Sequence, residues 1–89
     1  MINVVQTLPF GMQAIFVEIV GVIDHELLVA LQTTEEPTRA QRVAVENILC
    51  AEFCRNLQPD SEPTERGKLI DDTLGAFLLR WPIEGEATS

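Results

Sequence analysis

The chain carries few residues able to do chemistry, and their spacing decides what they could do. Asp71 and Asp72 form the most enzyme-like pair. General acid–base work needs two carboxylates converging on one proton or one metal, yet neighbours on a helix point about 100° apart. The pair therefore reads as a solvated helix face. His25 lies between Asp24 and Glu26, which would favour its charged form, but no nucleophile is tied to it. Cys50 and Cys54 stand four apart. On a helix that spacing puts both thiols on one face and aims them poorly for a bond to each other.

A zinc site would have to enlist His25, both thiols and a carboxylate, without the close cysteine or histidine pairs such sites use. The cysteines read better as small packed side chains. The chain has no glycine-rich phosphate loop, no nucleophile elbow, no paired-histidine metalloprotease motif and no dinucleotide fingerprint. The expectation is a protein that is not an enzyme and uses no cofactor or metal.

Composition points instead to binding. In 89 residues, 46 % are apolar and 22 % charged, which is enough to build one modest core in a single domain. So short a chain hides that much apolar surface with difficulty, and the surplus suggests a dimer or a complex with another protein. Fourteen acidic against six basic residues give a net charge of −8. Such a chain repels phosphate backbones and anionic lipid, and is drawn to basic surfaces. Direct nucleic-acid binding and membrane association are not expected. The apolar stretch from Leu8 to Leu31 is interrupted by Glu18, Asp24, His25 and Glu26, so it falls short of a membrane span. No Lys or Arg precedes Arg39, so the basic start of a secretory signal is missing and a cytoplasmic location is the default expectation.

Helices must position whatever binds. Val45, Leu49, Phe53 and Leu57 recur every four residues after Thr38, predicting a helix over about 39–57. Thr38 and Gln41 fit a capping box at its start, and Thr33 with Glu36 offers the same pairing earlier. Pro59, Asp60 and Ser61 then mark a turn. Leu69, Ile70, Leu74, Phe77, Leu78 and Trp81 form a second stripe, predicting a helix over about 63–81 that Pro82 stops. Gly67 and Gly75 weaken it, and Gly75 suggests close helix packing. A flexible tail is expected from about 83.

Residues 2–34 give conflicting signals. Ile15 to Ile23 is rich in β-branched residues, which favour strand. Met12, Phe16, Ile19, Ile23, Leu27 and Leu31 keep helical spacing, and Thr7 before Pro9 resembles a capped start. The favoured reading is a helix over about 9–32, possible to break near Gly21, in an all-α bundle of about three helices. The alternative is an α+β fold, with a hairpin turning at Pro9-Phe10-Gly11 and packed on the two later helices. A helix over 9–32 would be apolar nearly all round, since Val17, Val20, Val22 and Leu28 lie opposite the stripe. A second copy or a partner would complete such a bundle.

Glu-Pro-Thr occurs twice, at 36–38 and 62–64, with weak apolar matches at the same offset. Two copies establish no repeat period, and the triplet reads as helix punctuation. Among the charges, Lys68 with Asp72 and Glu62 with Arg66 have the spacing to pair along one helix. Arg39, Arg42, Arg66 and Lys68 have Glu35, Glu36, Glu62 and Glu65 as nearby partners. The expected function is a small acidic protein-binding module, an inhibitor, immunity protein or antitoxin that covers a basic surface such as a nuclease groove. Its candidate contacts are the aromatic pair Phe77 and Trp81 and the carboxylates Asp71, Asp72, Glu35 and Glu36. The competing expectation is a self-assembling structural subunit joined through the first helix.

Overall fold

A computed structural model describes residues 2–60 and 62–83. Its described part is all-helical: a 3-10 turn at Val5–Thr7 is followed by α1 (Phe10–Ile23), α2 (His25–Gln32), α3 (Arg39–Arg55) and α4 (Glu65–Arg80). No strand occurs among the described residues, and the N-terminal hairpin of the alternative reading is replaced by the 3-10 turn and α1. The flexible tail expected beyond Ile83 lies outside the described residues.

The single helix expected over 9–32 is two helices. The break falls at Asp24, three residues past Gly21, where the carboxylate takes the N-cap of α2 and accepts from the Leu27 N–H at 3.1 Å. That cap satisfies an otherwise orphaned donor, so a new helix can begin there in a new direction. Gly21 serves the close approach instead: a Cβ built on it would stand 2.9 Å from Leu28 Cδ2. The absence of a side chain lets α2 fold back against α1.

Both copies of Glu-Pro-Thr open a helix, and in both the threonine is the cap. Thr38 forms a full capping box with Gln41, and the Thr64 hydroxyl accepts from the Gly67 N–H at 3.0 Å. The prolines stand one residue before each cap, outside the helix. Thr33 does not pair with Glu36. Its hydroxyl donates to the carbonyls of Val29 and Ala30, both 3.1 Å away, and closes the end of α2. Nor does Thr7 cap α1: its hydroxyl donates to the Val4 carbonyl, and Pro9 holds the N-cap position.

Helices α3 and α4 pair through a tight link in which the Thr64 N–H donates to the Asn56 carbonyl at 2.9 Å. Val45 and Leu49 of α3 are fully buried, as are Ile70 and Phe77 of α4. They meet Phe16, Ile19 and Val20 of α1 and Leu31 of α2 in one core. At its centre the rings of Phe16 and Phe77 stack with centroids 5.7 Å apart and planes 26° from parallel. Thr73 is the one polar residue fully buried among these, and its hydroxyl is satisfied by the Leu69 carbonyl at 2.7 Å. The close helix approach in α4 is at Gly67, where a Cβ would lie 3.0 Å from the Asn56 carbonyl oxygen. At Gly75, where it was expected, a Cβ would meet nothing within 4 Å.

Candidate functional site

The residues expected to bind a partner do not form one surface. Phe77 lies in the core at 0 % exposure, against Phe16, and offers nothing to a partner. Trp81 is half-buried and closes the end of the core. Its indole N–H donates to Thr7 Oγ1 at 3.1 Å, and the guanidinium groups of Arg42 and Arg80 lie 5.6 and 4.9 Å from the ring centroid. Arg42 ties this corner together. Its Nη1 donates to the Pro82 carbonyl at 2.8 Å, its Nε to that of Pro37 at 3.1 Å, and its Nη2 pairs with Glu36 at 3.2 Å. Glu36 therefore serves an internal clamp, and Glu35 is exposed beside it.

Asp71 and Asp72 are exposed on α4. Neither pairs with Lys68, which reaches Glu65 instead at 3.9 Å. Arg66 likewise leaves Glu62 aside and crosses from α4 to α1, where it meets Glu18 at 2.5 Å. Arg55 pairs with Glu52 at 3.1 Å. The ion pairs of the described residues thus take up Arg42, Arg55, Arg66 and Lys68, and none of them involves Glu46, Asp71 or Asp72.

Two of those carboxylates, Glu46 on α3 and Asp71 on α4, both bear on Cys50. Although this thiol reaches solvent, partial desolvation against the helix flank pushes its pKa above the ordinary thiol value, and the negative field of Glu46, Cys54 and Asp71 raises it further. Composition alone did not locate this arrangement, because Glu46 and Asp71 come from different helices. Both cysteines are free and exposed rather than packed away. His25 is exposed at the first position of α2. Among the described residues, no group of three or more His, Cys, Asp or Glu is placed to hold a metal ion, and no helix is long and apolar enough to cross a membrane.

A second surface lies at the N-terminal end. The 3-10 turn, the first half of α1 and the end of α2 border an open groove of about 820 Å³. Val5, Phe10, Ala14 and Val17 supply its apolar lining. The polar groups come from the amides of Asn3, Gln6, Gln13 and Gln32, none of which ionises. Phe10 stands at its edge with 90 % of its surface exposed. The sequence held a sign of this face, since no charged side chain occurs before Glu18. No family model, curated protein or solved structure matches the chain.

Proposed function

We propose that this chain is a small acidic protein-binding module that covers a basic surface of another protein, as an inhibitor, immunity protein or antitoxin does. A nuclease or a nucleic-acid-binding complex presents a surface of that kind. One observation carries the reading: four of the six basic side chains are held in internal ion pairs, while Glu46 of α3 and Asp71 and Asp72 of α4 have no cation among those pairs. These exposed or half-exposed carboxylates belong to a chain whose net charge is −8. A basic partner would be steered to it and held by carboxylates already positioned on two packed helices. A cytoplasmic location goes with this reading.

The experiment is affinity capture from the native host with the wild type and with the combined variant E46Q/D71N/D72N. The expected result is a basic protein retained by the wild type at low salt and lost by the variant, with the fold of the variant unchanged by circular dichroism. Retention of the same protein by both would overturn the reading. A second reading, a self-assembling structural subunit, is supported by the uncharged groove beside Phe10.

A further inference from the structure

Cys50 and Cys54 lie four residues apart on α3, and both thiols are free and exposed. The turn that carries them is closed. The Asn56 N–H donates to the Phe53 carbonyl at 3.0 Å and its side-chain amide to the Glu52 carbonyl at 2.8 Å, so helical geometry continues through Cys54. Residues four apart on a helix have Cβ atoms about 5–6 Å apart. A disulfide needs about 3.5–4.5 Å between them, so the intact helix holds these thiols too far apart to join directly. It holds them at a distance that one bound atom bridges: two metal–sulfur bonds of about 2.3 Å laid end to end span about 4.6 Å.

We propose that Cys50 and Cys54 form a two-thiolate site for a soft metal ion that takes two ligands in a line, with the cuprous ion as the representative of that class. Coordination number selects the class. Among the described residues no three His, Cys, Asp or Glu are placed to hold one ion. Zinc therefore lacks the four ligands it needs, whereas soft thiolate donors suit cuprous copper. Charge agrees with a cation. The groups whose charge acts on Cys50 are Glu46, Cys54 and Asp71, each an acid, and the neighbouring Arg55 is turned to Glu52 at 3.1 Å. A monovalent ion offsets half the charge of the thiolate pair beside those carboxylates. On binding, each thiol releases its proton to solvent and each sulfur gives an electron pair to the ion. Two S–H bonds are replaced by two sulfur–metal bonds, two protons leave, and nothing is oxidised or reduced. The site is independent of the reading as a partner-binding module.

The test is anaerobic titration of the full, reduced chain with cuprous ion against a chromophoric chelator, in wild type, C50S, C54S and C54S/R55C. The exposed positions let all four keep the fold, which circular dichroism checks. C54S/R55C retains two thiols but sets the second about 140° round the helix from Cys50. The expected result is one ion per wild-type chain, with no rise in sedimenting mass on binding. Each variant should bind more weakly by about tenfold or more, since even outer-shell losses cost metal sites that much. Failure of the wild type to draw the ion from the chelator would overturn the site. Equal affinity in C54S/R55C would show that any two thiols suffice, and half an ion per chain with a rise in mass would place the ion between chains; either result would overturn it as well.

Discussion

The indole N–H of Trp81 donates to the hydroxyl of Thr7 at 3.1 Å, joining residues 74 apart and tying the end of α4 to the turn that precedes α1. The Thr7 hydroxyl gives its own proton to the Val4 carbonyl, so it meets the indole as an acceptor. Val4 in turn donates to the carbonyls of Leu31 and Thr34, at 3.2 and 3.0 Å, which extends the tie to the end of α2. T7V keeps the shape and removes both bonds. It should lower stability by about 1–2 kcal/mol in urea unfolding, whereas T7S should stay within about 0.5 kcal/mol of wild type.

The two glycines of α4 should respond to alanine in opposite directions. At Gly75, which is exposed with open space around it, alanine removes a helix penalty and should stabilise by up to about 1 kcal/mol. At Gly67 the new Cβ would press on the Asn56 carbonyl, a backbone atom that cannot rotate away, and stability should fall by about 1–3 kcal/mol. Thermal unfolding of the two single variants checks the sign of each.

These glycines also show what the sequence could not disclose. Helix identity over α3 and α4 was legible, because apolar spacing and threonine caps are local signals. Thr38 and Thr64 set both starts to within about two residues of expectation. Which glycine is crowded depends on what another segment brings near, and Asn56 reaches Gly67 only through the link between the helices. The division of α1 from α2 was not legible, because the apolar periodicity runs straight through Asp24, whose side chain caps α2. Phe77 and Trp81 shared one stripe in sequence and separated in space, the first into the core and the second to its edge. Asp71 and Asp72 were legible as candidate contacts, but the nearness of Asp71 to Glu46 was not, nor was cross-helix pairing such as that of Glu18 with Arg66, 48 residues apart.

Cys50 reports on Glu46 and Asp71. Its thiol is held above the ordinary value by partial burial and then by Glu46, Cys54 and Asp71, so the nucleophilic thiolate is scarce at neutral pH. Site-resolved alkylation at pH 8 should speed up at Cys50 in E46Q/D71N and in high salt, since both weaken the negative field. The sign for stability follows. The unfolded chain loses this proton first as pH rises, so the contribution is fully present below the ordinary thiol value and is lost as pH climbs through the raised one. The same double variant should narrow that loss.

The association rate of the captured basic partner, followed against ionic strength, tests the central claim most directly. If Glu46, Asp71 and Asp72 steer the encounter, the wild-type rate should fall by about tenfold or more between low and physiological salt. In E46Q/D71N/D72N it should start lower and change little. A rate that is insensitive to salt and equal in the two proteins would contradict an acidic surface built to meet a basic one.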